Sequence, residues 1–299
     1  EITYGDWSSD VCSSDLTRAM PLGLLLLLLL CGMESSAQSL LWRIDVPGVE
    51  RPSWIFGTMH ARCAQDVLLP DAVQSALREA DRLVLEIDLD DPALPATLGK
   101  LAFVPADSTL EKLLPASAYD SLAHFLKDSL TVSIATFKSM RPMFLIGLFI
   151  GRALECTPVA YEDRLMSIAK QIGKDVVGIE TVEEQFAAFS TIPLHAQADM
   201  VMAMLRNMSA QREEFRKLDA AYAAADLDAV LALIRDSDVE YGRYDGPLLN
   251  ERNARWLPRI LEHARGGSVL LAVGAGHLPG EHGVLQLLRA QGCTVTPVP

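Results

Sequence analysis

The sequence is poor in basic residues, aromatic residues and cysteines. Its 26 Lys and Arg residues are outnumbered by 39 Asp and Glu residues, which gives a formal net charge of −13 at pH 7. Because the chain contains no cluster of Lys and Arg, its composition argues against nucleic-acid binding and against a polybasic membrane anchor. Five cysteines in 299 residues are also too few for a scaffold built on disulfides.

Aromatic residues make up 6% of the chain, whereas hydrophobic residues together make up 50% and charged residues 22%. This composition excludes global disorder and predicts a core filled mainly by Leu, Ala and Val. A length of 299 residues corresponds to one large domain or two small ones. No Pro/Ser-rich linker follows residue 38, so we expect one domain over residues 38–299.

The first 37 residues are predicted to lie outside that domain. Residues 1–16 have no hydrophobic period and resemble a translated sequencing-adapter artefact. The apolar run Leu22–Cys31 has the length of a signal-peptide core and is shorter than the roughly 20 residues that span a bilayer. Ser35, Ser36 and Ala37 form a small-x-small pattern that predicts cleavage after Ala37.

We therefore expect an exported protein, periplasmic or secreted, with no transmembrane helix in its mature form. Lipid attachment at Cys31 is the less favoured alternative, because Leu30 stands where a lipoprotein signal has a small residue. Three cysteines remain after residue 37, namely Cys63, Cys156 and Cys293. An odd number leaves a free thiol or an intermolecular pair, and a Cys63–Cys156 bridge is the preferred pairing.

Strand-like apolar runs alternate with longer helical segments from residue 40 onwards. Strands are predicted over residues 40–46, 53–60, 83–87, 175–179, 269–273 and 294–298. Helices are predicted over residues 69–81, 115–129, 142–154, 161–172, 195–225, 226–235, 250–264 and 281–289. This alternation predicts an α/β (α+β) fold in which helices flank a central mixed sheet.

Two of the six histidines, His60 and His277, end a Gly-x-x-His motif that stands at the end of a predicted strand. A glycine three residues before the histidine permits a sharp turn that presents the imidazole at a sheet edge. The alternative is that both are loop or capping histidines. The second motif is not a dinucleotide fingerprint, because Pro279 stands where the third glycine is required.

Two carboxylates accompany predicted strands. Glu86 lies inside the apolar run LVLEI, where a carboxylate is costly unless it is paired or bound to a metal. Alternation would place Glu86 and Asp88 on the same face. Glu180 ends the run VVGI. The alternatives are solvated acids on a half-exposed strand for Glu86 and a helix N-terminal charge for Glu180.

Two histidines and two carboxylates at strand ends form a nitrogen and oxygen ligand set that suits Zn, Mn or Co. Such a metal acidifies its bound water and polarises a carbonyl.

The chain resembles the TraB/GumN family in five segments. In order along the chain, they are IFGTMH, ADRLVLEIDLDDP, GKDVVGIETVEEQ, LLNERNARW and LLAVGAGHLPGEHGVLQLLRAQGCTV. That family includes bacterial exported proteins and relatives of the Tiki metalloproteases, and the resemblance covers residues 40–299.

The resemblance implies an α/β fold and a hydrolase site that uses a divalent metal. The implied metal ligands are His60, Glu86 and His277. The implied catalytic residues are Glu180, Arg252 and Asn253. Glu180 would be a base or a further ligand, and Arg252 would bind substrate or an oxyanion. Glu162 lies near a family acidic position, although Tyr161 stands where glycine is common.

The sequence therefore predicts an exported metal-dependent hydrolase, preferably a peptidase, with a peptide or small-molecule substrate. Two alternatives remain open on the same fold. One is a non-catalytic protein that binds a small ligand such as haem. The other is a regulatory protein in which the histidines are structural.

Overall fold

A six-stranded sheet lies at the centre of the protein. The structure is a computed structural model that describes residues 38–237 and 241–299. The predicted signal peptide, the cleavage site after Ala37 and Cys31 lie outside the described residues. Within them, no helix combines the length and the hydropathy needed to cross a membrane.

The strands are β1 (Leu41–Asp45), β2 (Ser53–Thr58), β3 (Arg62–Cys63), β4 (Arg82–Leu85), β5 (Pro158–Val159), β6 (Asp175–Gly178), β7 (Val269–Gly274) and β8 (Thr294–Val298). Six of them form the main sheet in the order β6-β4-β7-β2-β1-β8, and β3 pairs with β5. Strands β6, β4, β7 and β2 run parallel, whereas β1 is antiparallel to β2 and β8. The predicted mixed sheet is therefore confirmed.

The α-helices of the described residues are α1 (Asp71–Glu79), α2 (Leu94–Leu101), α3 (Leu110–Leu113), α4 (Ala116–Leu130), α5 (Pro142–Leu154), α6 (Tyr161–Gln171), α7 (Val182–Phe189), α8 (Leu194–Arg206), α9 (Met208–Ala223), α10 (Leu227–Arg235), α11 (Glu251–Gly266) and α12 (Val284–Ala290). Helices α1, α6 and α12 pack on strands of the main sheet. A π-helical turn, Gly246–Asn250, leads directly into α11. Every residue of β2 and β7 is buried, which explains why both strands read as nearly continuous apolar runs.

The buried hydrophobic side chains form two clusters. The first surrounds the sheet and includes Phe56, Leu271 and Trp256. The second lies among the helices and includes Leu122 and Phe149.

The structure corrects three element boundaries. The helix predicted over residues 195–225 is divided at Asn207, whose φ of −131° and ψ of 47° are not helical. The last helix begins at Val284 rather than at residue 281, because Gly283 is extended. Strand β4 ends at Leu85, so Glu86 follows the strand, and the alternation expected for Glu86 and Asp88 does not apply.

The predicted Cys63–Cys156 disulfide is present, with the two Cα atoms 5.6 Å apart. It connects the segment after β2 with the segment before α6. Cys293 is free and buried.

Candidate active site

The carboxyl ends of the four parallel strands bring four predicted site residues to one edge of the sheet. His60, Glu86, Glu180 and His277 follow β2, β4, β6 and β7 by one to three residues. Open α/β sheets bind their ligands at this edge. Helix α11 adds Arg252 and Asn253, which are both buried.

Glu86 is at the centre of the site and is buried. Its Oε1 accepts a hydrogen bond from the Gly274 amide at 2.8 Å, and its Oε2 accepts one from Nη2 of Arg252 at 2.6 Å. Burial opposes ionisation of Glu86, but the Arg252 guanidinium and the nearby histidines hold its pKa well below the usual range. Glu86 is therefore a carboxylate at neutral pH.

Arg252 connects Glu86 to Glu180. Its Nη2 and Nε donate to Oε1 of Glu180 at 2.6 and 2.9 Å. Trp256, one helical turn further on, donates from Nε1 to Oε2 of Glu180 at 3.0 Å, and the Arg252 guanidinium carbon lies 4.6 Å from the centre of its ring. Both carboxylate oxygens of Glu180 therefore already accept hydrogen bonds.

Asn253 orients His277. Its Nδ2 donates to the carbonyls of His277 and His282, so its Oδ1 is the atom that accepts from Nδ1 of His277 at 2.6 Å. This assignment leaves Nε2 of His277 unprotonated, and that atom accepts from Nη1 of Arg252 at 3.1 Å. Burial, together with the Arg252 charge, lowers the pKa of His277 to about 3, so this imidazole is neutral.

Glu162 orients His60 in the same way. Nδ1 of His60 lies 2.9 Å from Oε1 of Glu162, and Thr58 donates its hydroxyl to the same oxygen at 2.5 Å. The His60 side chain is 61% exposed within a concave surface. Loss of solvation lowers the pKa of His60, but the Glu162 carboxylate outweighs this effect and raises that pKa to about 9.

The Nε2 atoms of both histidines face Glu86. Its Oε1 lies 3.7 Å from Nε2 of His60 and 3.8 Å from Nε2 of His277. A Cβ atom added at Gly274 would lie 3.1 Å from Nε2 of His60 and 3.3 Å from Oε1 of Glu86. The glycine thus keeps the space between these groups open.

Two imidazole Nε2 atoms and a carboxylate are donor types that suit a divalent metal. Glu86 and Glu162 lie close to His60, and Glu86 and Glu180 pair with Arg252. Oε2 of Glu162 is buried without a hydrogen-bond partner. However, no group of three or more His, Cys, Asp or Glu side chains in the described part of the chain is arranged to hold a metal. In addition, Nε2 of His277, one of the atoms that would bind a metal, already accepts a hydrogen bond from Arg252.

All six predicted site residues belong to this one network, which also contains residues that sequence reasoning did not assign. Gln185 donates to Glu86 and to Glu180, and Trp256 and Thr58 hold the carboxylates described above. The acidic position at Glu162 was the one sequence signal for these additions. Glu162 and His60 lie beside the paired strands β5 and β3 along the chain, and the sequence did not predict that pair.

A cavity of about 310 Å³ opens over His60, Arg252 and His277. Beyond these polar groups its walls are mainly hydrophobic, with side chains from α5, α7, α9, α10 and the π-helical turn. A substrate in this cavity would contact the two histidines at its polar end.

A model of the TraB/PrgY/gumN family matches residues 40–297. Metalloprotease TIKI2 of Danio rerio is 24% identical to the chain in an alignment of 327 positions, which covers 89% of the chain and 62% of the relative. The Metalloprotease TIKI homolog of Amphimedon queenslandica is 23% identical, with the same two coverages. Protein YbaP of Shigella flexneri is 26% identical in an alignment of 255 positions, which covers 82% of the chain and 90% of the relative.

The chain therefore spans about three fifths of the length of these two TIKI relatives. No solved structure gives a significant match.

Proposed function

Because the chain belongs to the TraB/PrgY/gumN family, we propose that it is an exported hydrolase that uses a divalent metal to cleave peptides. The observation that carries the proposal is the convergence of two oriented histidines on the Glu86 carboxylate, next to an open space at Gly274. The names of the TIKI relatives support a peptide substrate.

His60, Glu86 and His277 would hold the metal, which is Mn, Co or Zn. When bound, such an ion acidifies water and polarises a carbonyl. Glu162 and Asn253 each bind Nδ1 of a histidine, an arrangement that leaves Nε2 for the metal. His60 has to lose its proton before it can be a ligand, and Arg252 has to release Nε2 of His277.

Arg252 would bind the substrate carbonyl or the developing oxyanion, because it lines the cavity and its Nη1 donor becomes available once it releases Nε2 of His277. Glu180 is better placed to hold Arg252 than to accept a proton, since both of its oxygens already accept hydrogen bonds. We assign it as a positioning residue. Asn253 is a positioning residue for His277.

A peptide-library digest of the full protein tests this proposal, with Mn, Co or Zn added and with a chelator. We expect cleavage that stops with chelator and returns with metal. Glu86→Gln should abolish cleavage, because it removes the central charge at almost constant shape. The matched control is Glu184→Gln, since Glu184 pairs with Arg259 outside the site.

Cleavage that is insensitive to chelator, or that is equal in Glu86→Gln, would contradict a metal hydrolase. The alternative of small-ligand binding stays a prediction. A Soret band on haem titration, in the absence of metal-dependent turnover, would support it.

A further inference from the structure

The cavity above the candidate site has a polar floor and apolar walls. His60, Arg252 and His277 form its floor. The hydrophobic wall side chains include Ile150, Phe189, Phe215, Leu218, Ile234 and Leu249. Leu218 and Ile234 pack against the sheet cluster, whereas Ile150, Phe189 and Phe215 pack against the helical cluster. The cavity therefore lies where the two hydrophobic clusters meet.

Several large wall side chains are only half-buried, among them Phe189, Phe215 and Ile234. Each gives up part of the stabilisation that full burial of an apolar side chain provides. An apolar group in the cavity would cover these surfaces and restore that stabilisation. The walls are therefore suited to an apolar ligand rather than to a charged one.

We propose that this cavity binds one apolar side chain of a peptide substrate, adjacent to the bond that is cleaved. The position next to the cleaved bond rests on the proposed function, whereas the apolar preference rests on the cavity alone. A volume of about 310 Å³ is at the lower end of the roughly 300–1,000 Å³ of small-molecule sites, which fits one side chain. Asp245, an acidic residue in the wall, is already paired with Arg235 at 2.9 Å.

Gly276 and Ile234 set the size of the cavity on one side. A Cβ atom added at Gly276 would lie 2.8 Å from Cδ1 of Ile234, so the glycine makes room for the isoleucine side chain. Truncating Ile234 to alanine would enlarge the pocket without removing the polar floor. Ile234 is therefore assigned as a specificity-determining residue.

Binding to the metal-free full protein tests the apolar preference without any turnover. The probes are N-acetyl-leucine amide, N-acetyl-phenylalanine amide, N-acetyl-glutamate amide and N-acetyl-lysine amide, titrated by NMR. We expect the two apolar probes to bind at least about tenfold more tightly than the two charged ones, the lower bound for burying a side chain of this size. Equal binding of all four would overturn the proposal.

Matched substitutions locate the site. Ile234→Asp should abolish the apolar preference, whereas Ile172→Asp, at an exposed position outside the cavity, should leave it intact. If Ile234→Asp does not fold, Ile234→Ala gives the decisive result, a shift of preference from the leucine probe to the phenylalanine probe. No shift would overturn the assignment of Ile234.

The two proposals can fail separately. Apolar binding without metal-dependent cleavage would support the pocket and contradict the hydrolase. Metal-dependent cleavage with no preference for apolar residues near the cleaved bond would support the hydrolase and contradict the pocket.

Discussion

Nδ1 of His277 lies 2.6 Å from Oδ1 of Asn253, and this hydrogen bond decides which imidazole nitrogen faces the candidate site. The proton is held on Nδ1, so Nε2 keeps its lone pair. Glu162 makes the equivalent contact with His60. The two histidines thus present the same atom to Glu86 although they follow different strands.

Replacement of Asn253 by alanine should lower both stability and metal affinity. It leaves Nδ1 of His277 and two backbone carbonyls without their partner, which costs about 1–3 kcal/mol. Loss of an orienting partner typically weakens metal binding about 10–100-fold. Urea unfolding and metal titration measure the two effects.

Asn253→Asp is the matched variant for this prediction, because it keeps the acceptor for Nδ1 and loses both N–H donors. We expect stability to fall while metal affinity stays closer to that of the wild type. Wild-type metal affinity in Asn253→Ala would contradict the orienting role.

Replacement of Arg252 by methionine should destabilise the protein by about 3–5 kcal/mol, because it leaves the buried Glu86 and Glu180 carboxylates without their cation. The control is Arg259→Met, which breaks the more exposed pair with Glu184 and should cost about 1 kcal/mol or less. Chemical denaturation of both variants is the measurement. Similar costs for the two would show that the Arg252 network is not a buried charge cluster.

Gly274→Ala should lower the affinity for metal, and the free-energy loss in metal binding should exceed the loss in folding stability. The added Cβ would enter the space beside His60 and Glu86 at 3.1 and 3.3 Å. Gly99→Ala is the control, because a Cβ at that position in α2 meets no atom within 4 Å and alanine favours a helix. Metal titration measures the affinity of each variant for the ion, and thermal unfolding measures the stability of each variant. Unchanged affinity in Gly274→Ala would place the metal elsewhere.

The two site histidines should make the free energy of unfolding depend on pH in two different ranges, below pH 6.5 for His277 and above pH 6.5 for His60. The pKa of His277 is lowered from 6.5 to about 3, so the unfolded chain binds the extra proton and stability falls as pH drops from 6.5 towards 3. The pKa of His60 is raised to about 9, so its contribution is complete below pH 6.5 and is lost as pH rises towards 9. NMR titration of the imidazole Cε1 protons in metal-free protein measures both values. Two ordinary titrations near pH 6.5 would contradict these environments.

The centre of the sheet was predictable because β4, β7 and β2 are buried on both faces. The runs around Phe56 and Leu271 have no polar alternation, which is what a sheet covered by helices requires. The sequence did not predict α2 or the β3–β5 pair. Helix α2 has eight residues, buries no side chain completely and contains Pro95 and Gly99, which are loop signals in a sequence. A two-residue strand has too few positions to show a pattern.

The site residues that follow strands were predictable from the sequence. The contacts between residues far apart in the sequence, such as that of Glu162 with His60, were not. His60, Glu86, Glu180 and His277 stand at the ends of recognisable strands. The role of Gly57 was not predictable. It was expected to permit a turn, but it lies within β2, and a Cβ there would meet Leu278 at 2.9 Å. Close packing, which no local pattern encodes, therefore explains this glycine.

Metal content tests the central claim most directly. The full protein and the His60→Ala/His277→Ala double variant are incubated with Mn, Co or Zn, freed of excess ion and analysed by elemental mass spectrometry. We expect about one equivalent of metal in the wild type and none in the double variant, with folding of both checked by circular dichroism. Equal metal in both proteins, or none in the wild type, would contradict the claim.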